Sequence, residues 1–136
     1  MPTIRRFEEI EAWKTSRELT KLIYALSNQG KFERDFGLKD QIRRASVSVM
    51  SNIAEGFESK TQPQFIKYLG YAKASAGEVC SQLYVIHDLN YISEDDFKNA
   101  FSLAEKISGQ IARFIAYLER TPQSRQIRED VAVYEV

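Results

Sequence analysis

The feature that most constrains the fold of this chain is a helical hydrophobic period that recurs in four long segments. Within each segment apolar residues return every three or four positions, which places them on one face of an α-helix. The segments cover residues of about 8–29, 38–57, 62–89 and 94–119. Because short connections between long helices make consecutive helices antiparallel, the sequence predicts an all-α fold, an antiparallel up-down-up-down four-helix bundle.

Capping signals support several of these boundaries. Thr61 stands where an N-cap is expected, with Pro63 in the first turn of the third helix, and Ser93 stands in the same place before the fourth. Gly30 has the position of a residue that ends the first helix. The stretch "GKFERDFG", residues 30–37, is therefore expected to be a loop.

The length and composition indicate one soluble domain followed by a tail. The chain has 136 residues, of which 43% are apolar and 28% charged, as in ordinary globular proteins. The bundle is predicted to occupy residues 1–120. Residues 121–136 form a polar tail that is expected to be flexible. The alternating end of that tail, "VAVYEV", is also compatible with a short strand.

The chain shows the features expected of a cytoplasmic protein. No segment is long and apolar enough to cross a bilayer, so no membrane partner is predicted. The arginines near the N-terminus are not followed by an apolar stretch, so a secretory signal is not expected. The single cysteine, Cys80, cannot form an internal disulfide, which fits a reducing compartment.

The second helix carries an unusual outward face. Its polar residues fall within about a third of the circumference and are mainly short. The candidate interface residues on this face are Ser48, Ser51, Asn52 and Glu55, of which the first three have short side chains. A plain solvated face would more often carry Lys, Glu and Gln, which favour helices. This face is either the water-facing side of the helix or an interface on which another chain packs.

The third helix carries a stripe of very small side chains beside its core face. The stripe consists of Gly70, Ala74, Gly77 and Ser81. A glycine inside a helix costs about 1 kcal/mol relative to alanine, so a close neighbour is expected to explain the stripe. That neighbour is either an aromatic ring of the same chain, from Trp13 or Tyr24, or a second subunit.

Residue types that carry catalysis or hold cofactors are sparse. His87 is the only histidine, and Tyr84 rather than a glutamate stands three residues before it, so the Glu-x-x-His pairs of di-metal bundles are absent. Cys80 and His87 are two helical turns apart, about 10 Å, which is too far for a nucleophilic pair. The sequence also lacks a glycine-rich phosphate loop and a zinc motif. We therefore expect a protein without cofactor, metal or enzymatic activity.

Positive charge occurs only in small groups. The chain has 19 basic and 19 acidic residues, so its net charge does not favour binding to nucleic acid. Two local groups are candidates for phosphate contacts: Arg5 with Arg6, and Lys39 with Arg43 and Arg44. If several copies assembled in a ring, each group would be repeated and its phosphate contacts would add.

Four stretches resemble one bacterial family, the 23S rRNA intervening-sequence proteins, also called the S23 family. They are "FEEIEAWKTSREL" from residue 7, "FGLKDQIRRASVSVMSNIAEGFE" from residue 36, "QFIKYLGYAKASAGEVCSQL" from residue 64 and "LNYIS" from residue 89. The resemblance covers about residues 7–118. The family usually has proline where Met50 stands, which suggests a straighter second helix in this chain.

The resemblance implies an antiparallel four-helix bundle that assembles into homo-pentameric rings, without catalytic residues. A related bundle is the accessory protein of diversity-generating retroelements, where it engages reverse transcriptase and nucleic acid. The signature positions carried over to this chain are Trp13, Lys14, Arg17, Gln41, Arg43, Arg44, Ser51, Asn52, Glu55 and Gly56.

Two functional hypotheses follow. The first is a non-enzymatic homo-oligomeric bundle that binds RNA, DNA or a nucleoprotein partner. The alternative is a scaffold for protein–protein interaction with no nucleic-acid contact. The short polar face of the second helix and the stripe on the third would then be interfaces.

Overall fold

A computed structural model of the chain describes residues 4–121, and in that part it contains only helices and their connections. A 3₁₀ turn comes first and is followed by five α-helices. Their bounds are Phe7–Glu9 for the 3₁₀ turn, Glu11–Leu26 for α1, Gly30–Arg34 for α2, Phe36–Glu58 for α3, Gln62–Asp88 for α4 and Glu94–Arg120 for α5.

The four long helices pack as a closed ring. Helix α1 packs against α3 and α5, and α4 packs against the other sides of α3 and α5. Cross-contacts give the direction of α3 and α4. Ser48 lies 3.0 Å from Ser75, whereas Gly56, two turns later, lies against Tyr68. Because the partner position moves back along α4 as α3 advances, these two helices are antiparallel.

The α1–α3 pair has the same relation. The Thr20 hydroxyl lies 3.2 Å from the Ser46 carbonyl oxygen, and the Ser27 hydroxyl accepts a hydrogen bond of 2.8 Å from Arg43. Ser27, which follows Thr20 along the chain, thus meets a residue of α3 that precedes the partner of Thr20. These two helices therefore also run in opposite directions.

Ring contacts establish the direction of the last pair. The Phe65 and Phe114 rings lie 5.3 Å apart, and the Tyr84 and Phe101 rings lie 5.1 Å apart. Helices α4 and α5 are therefore antiparallel too. The predicted all-α helical bundle is confirmed, and the antiparallel directions of these three helix pairs agree with the up-down-up-down prediction.

The core is made by the apolar stripes that the helical period marks in the sequence. Burying one large aliphatic side chain stabilises the fold by about 1.5–3 kcal/mol. These buried stripes therefore contribute most of the favourable free energy of folding. The largest fully buried aliphatic side chains are Ile10, Leu19, Ile23, Ile42, Ile53, Leu69, Leu83, Ile86, Ile107 and Ile111.

Side-chain caps fix the first turns of the three longest helices. Asp35 accepts a hydrogen bond of 3.2 Å from the Leu38 backbone N–H at the start of α3. Thr61 caps α4 and Ser93 caps α5 in the same way, at 3.3 and 3.1 Å. Both of these caps were predicted from the sequence and are confirmed.

The first helix and the loop after it differ from the prediction. Ile10 has an extended backbone and separates the 3₁₀ turn from α1, and α1 ends at Leu26 rather than near residue 29. Gly30, with φ of 55°, begins the short helix α2. The prediction of a loop over residues 30–37 was wrong, because Phe32 is buried and stacks on Tyr91, with 5.6 Å between ring centroids.

No helix within residues 4–121 is both long enough and apolar enough to cross a membrane. Of the predicted tail, residues 122–136 lie outside the described residues.

Candidate interaction surface

The outward side of α3 forms a shallow open groove, which we call the α3 groove. Its volume is about 620 Å³. One of its lining residues belongs to α1, and the others all come from α3: Tyr24, Asp40, Arg43, Arg44, Val47, Ser48, Ser51, Asn52 and Glu55. The structure thus brings the four polar residues predicted as an interface on α3 onto one surface, together with both central arginines.

Two of those four residues are held by bonds within the chain. The Ser48 hydroxyl lies 3.0 Å from that of Ser75 on α4. The Asn52 amide donates to the Ser48 carbonyl oxygen and hydroxyl, at 2.9 and 3.0 Å. These bonds need short side chains, which explains part of the unusual composition of α3. Ser51 and Glu55 are exposed on the same groove.

Arg43 closes the end of α1. Its Nε donates to the Ser27 hydroxyl at 2.8 Å, and its Nη2 donates to the Tyr24 carbonyl oxygen at 3.4 Å. Its guanidinium also lies 4.3 Å from the centre of the Tyr24 ring. A cation at this position is favoured because the last carbonyl groups of a helix carry partial negative charge. Arg43 therefore mainly stabilises the packing of α3 on α1.

Arg44 points in another direction. Its side chain is 79% exposed and forms an ion pair of 2.8 Å with Asp40, one turn earlier on α3. Exposed pairs of this kind contribute only about 0–1 kcal/mol, so a ligand phosphate can replace the carboxylate at little cost.

A second hollow adjoins the α3 groove at the start of α3, and we call it the N-terminal hollow. Its volume is about 490 Å³, and it is lined by Phe36, Gly37, Lys39, Asp40 and Arg43. Because Asp40 and Arg43 line both spaces, the hollow and the groove form one continuous surface. The predicted cations Lys39, Arg43 and Arg44 therefore lie together.

Arg5 and Arg6 lie elsewhere. Arg6 pairs with Glu8 at 3.0 Å, and this hydrogen bond raises the pKa of Arg6. The 3₁₀ turn packs against α1 and α3. Since these helices are antiparallel and Arg43 meets the end of α1, the turn lies near the other end of α3, about 20 Å away along its axis. The five predicted cations thus form two separate groups.

The small-residue stripe on α4 is open in the described chain. All four of its residues, Gly70, Ala74, Gly77 and Ser81, are exposed. A Cβ atom built at Gly70 or Gly77 would have nothing within 4 Å apart from the helix itself.

No aromatic ring of α1 packs on the small residues of this stripe. The Trp13 ring packs on Phe7, with centroids 5.3 Å apart, and the Tyr24 ring lies under Arg43. Helices α1 and α4 face each other diagonally across the bundle. The interpretation that Trp13 or Tyr24 explains the two glycines was therefore wrong.

The stripe continues into a hollow between α4 and α5 that the sequence reasoning missed. Its volume is about 400 Å³, and its α5 side is built largely from small residues, Ser108, Gly109 and Ala112, beside Phe101. In the sequence, the small residues of "SGQIA", residues 108–112, indicate this hollow. On the α4 side, burial raises the pKa of the Cys80 thiol, so this cysteine is not an activated nucleophile.

The lone histidine has a structural setting. Its Nε2 lies 2.6 Å from Glu94 Oε2, and its ring stacks on Phe97 at 4.5 Å. These contacts join the end of α4 to the start of α5. Within residues 4–121, no three or more His, Cys, Asp or Glu side chains are grouped so that they could hold a metal ion.

The fold and these open outer faces define a class: a small four-helix bundle with open grooves on the outside of its helices. A family model described as 23S rRNA-intervening sequence protein matches residues 8–113. The chain belongs to this family, so the resemblance noted in the sequence is confirmed.

A solved structure shares the fold. It is the crystal structure of a protein of unknown function from the S23 ribosomal protein family of Bacteroides thetaiotaomicron. The TM-score is 0.70 at 21% identity, and the match covers 76% of this chain and 97% of that one. No curated protein matches the chain.

Proposed function

We propose that this protein is a non-enzymatic, cytoplasmic, homo-oligomeric bundle that binds nucleic acid or a nucleoprotein partner. The observation that carries the proposal is the continuous surface formed by the N-terminal hollow and the α3 groove. It gathers the cations Lys39, Arg43 and Arg44 with the carboxylates of Asp40 and Glu55, a local charge of +1 in a chain whose net charge is zero.

The surrounding contacts assign unequal roles to the cations. Arg44 is exposed and held only by a surface ion pair, so it can turn to a phosphate. Lys39 lines the adjoining hollow. Arg43 contributes its charge from a fixed position against α1. Arg5 and Arg6 belong to a separate group and would reach a different part of any ligand.

Assembly would multiply this weak local charge. The family resemblance favours a homo-pentamer, in which each subunit would present the same surface. Each phosphate neutralised adds to the salt dependence of binding, with a slope in log K against log salt of about −0.9 per phosphate for duplex DNA. A repeated patch can therefore bind a polyanion that a single copy would bind weakly.

The test is a titration of labelled RNA and DNA with purified protein at several salt concentrations. We expect binding that weakens steeply with salt, and a shallower slope for the double variant Lys39→Ala/Arg44→Ala. The matched control, Lys98→Ala/Lys106→Ala, removes the same charge from exposed positions of α5, which does not pack against α3. Equal affinity of the Lys39→Ala/Arg44→Ala variant and the parent would exclude this surface, and flat curves at low salt would exclude the function.

A specific observation also favours the second candidate, a protein-interaction scaffold. The two glycines of the α4 stripe face open space, so nothing within the described chain accounts for them. If a subunit or partner packs there, Gly77→Leu should change the native mass measured by light scattering. Ser51→Leu places the same side chain in the α3 groove and shows which face is the contact. Unchanged mass in Gly77→Leu would reject the stripe as a subunit interface.

A further inference from the structure

We infer that the N-terminal hollow is a stacking site for an unpaired nucleobase, so the nucleic acid that this protein binds is single-stranded at that point. This inference rests on the proposed nucleic-acid function and specifies its substrate. It starts from Phe36, which is 75% exposed. Among the large apolar side chains in the described part of the chain, the next most exposed is Tyr84 at 53%.

The exposed position of Phe36 has no explanation in the fold. Burying such a ring would stabilise the protein by about 1.5–3 kcal/mol, and phenylalanine is not a strong helix former. The start of α3 is already secured by Asp35, which accepts hydrogen bonds from the Leu38 N–H at 3.2 Å and from the Tyr91 hydroxyl at 3.0 Å. Phe36 follows this doubly bonded residue, so its ring stands on a firmly held backbone.

The space beside the ring is open. Gly37 comes next, and a Cβ atom there would meet nothing within 4 Å. The hollow of about 490 Å³ is also lined by Lys39, Asp40 and Arg43. A flat ligand can therefore enter beside Phe36 and be close to two cations.

This combination matches the way proteins hold single strands. Bases stack on exposed aromatic rings while nearby basic side chains contact the backbone, and each stacked base contributes about 1–3 kcal/mol. In a duplex the base faces are already stacked on one another, so Phe36 would have no face to cover. Lys39 lines the hollow and the exposed Arg44 lines the adjoining α3 groove, so both cations are available to phosphates next to a stacked base.

Several acidic groups lie at this end of the bundle. Exposed Glu33 is on α2, which also carries Lys31 and Arg34, and Asp88 ends α4. Asp40 is paired with Arg44, and Asp35 is bonded to Tyr91. The carboxylates of residues 94–96 begin α5, which lies diagonally across the bundle from α3. A strand would therefore approach over the α1–α3 side, where the local charge is positive.

The test compares two labelled oligomers of equal length and charge, an unstructured uridine oligomer and an abasic one, by fluorescence anisotropy. Phe36→Ala should weaken binding of the uridine oligomer by about 5-fold to 150-fold, the equivalent of one stacked base. Binding of the abasic oligomer should not change, and Phe36→Tyr should keep the affinity of the parent.

Tyr71→Ala is the matched control. Tyr71 is 49% exposed on α4, and its ring lies 5.9 Å from the Lys67 ammonium, so it is another aromatic residue beside a cation. The Tyr71→Ala variant should bind both oligomers with the affinity of the parent protein. An equal loss in Tyr71→Ala would show that stacking is not specific to the hollow, which would overturn the inference.

Failure of the inference and failure of the proposed function give different results. If Phe36→Ala binds both oligomers normally while Lys39→Ala/Arg44→Ala weakens both, the stacking site is rejected and the function stands. If the parent protein binds neither oligomer nor a structured RNA, both are rejected. A change of native mass in Phe36→Ala would identify the ring as a subunit contact and would also reject the stacking site.

Discussion

Gly56 on α3 and Gly77 on α4 both lie within long helices, yet their surroundings are opposite. A Cβ atom at Gly56 would lie 2.8 Å from the Tyr68 Cβ and 2.9 Å from a ring carbon of Phe65. A Cβ atom at Gly77 would meet nothing within 4 Å. The first glycine is needed because two helices of the same chain touch there. The second has no such reason inside the described chain, which supports a contact with another molecule.

The neighbouring residues Arg43 and Arg44 repeat this contrast on α3. Arg43 turns inward to α1 and makes two hydrogen bonds to it, whereas Arg44 is exposed and bonds only to a carboxylate of its own helix. The resemblance noted in the sequence implies that both are signature positions of the family. The comparison teaches that such a signature combines positions that hold the bundle together with positions that face outward.

The largest expected effect is that of Gly56→Ala. Its methyl group would be closer to the Tyr68 Cβ than real contacts allow, and that atom is attached directly to the α4 backbone. The two helices must move apart, so we expect a net loss of about 2 kcal/mol in the free energy of unfolding, although alanine favours helix. Urea denaturation measures it. An unchanged midpoint would break the comparison, because it would show that α3 and α4 can separate freely.

Arg43→Ala should have the next largest effect. It removes the hydrogen bonds to Ser27 and to the Tyr24 carbonyl oxygen, together with the contact on the Tyr24 ring. We expect a loss of about 1–2 kcal/mol in the free energy of unfolding. Arg44→Ala is the control and should change it by less than about 0.5 kcal/mol. Equal losses in the two variants would contradict the division into an inward and an outward arginine.

Gln110→Met should stabilise the protein. Gln110 on α5 is 3% exposed, and its Oε1 has no hydrogen-bond partner. Methionine keeps the unbranched shape without the unsatisfied oxygen, so we expect a gain of about 1 kcal/mol in a thermal or urea melt. Gln82 also has an unpartnered buried oxygen but sits at a half-exposed position, so Gln82→Met should gain less. A destabilised Gln110→Met variant would indicate that Gln110 has a partner such as bound water.

Gly77→Ala should have the smallest effect, and its sign is the opposite of that of Gly56→Ala. In the dissociated protein the added methyl group faces open space, so helix propensity alone should raise the free energy of unfolding by about 0.5–1 kcal/mol. The measurement is a melt at dilution, paired with native mass at high concentration. A gain at dilution with weaker assembly would sharpen the comparison. A loss at dilution would show that Gly77 is already in contact within one chain.

The part of the candidate site that could be predicted depended on local pattern. The cations and the short polar residues of α3 follow from helical geometry, because residues three and four apart share a face whatever surrounds the helix. What could not be predicted was which of them the rest of the chain already uses. Ser48 is bonded to Ser75, 27 positions away, and Arg43 is bonded to Ser27, 16 positions before it. No local pattern reports such contacts.

The same limit explains the error between residues 27 and 36. Gly30 and the charged residues around it are typical of a loop, yet α2 forms there. Its one buried side chain, Phe32, stacks on Tyr91, which follows α4. A five-residue helix has almost no stability of its own. Helix α2 forms because the Phe32 ring packs on Tyr91, which is distant in the sequence.

The sequence by itself determined the long helices, their apolar seams, the caps at Thr61 and Ser93, and the family to which the chain belongs. These depend on interactions within a few residues, and a period of 3.6 residues records them directly. Only the tertiary structure decided that Arg43 serves the fold, that the α4 stripe is empty, and that Phe36 stands beside an open hollow. Each of these depends on what lies opposite a side chain across the bundle, and that neighbour is set by the packing of whole helices.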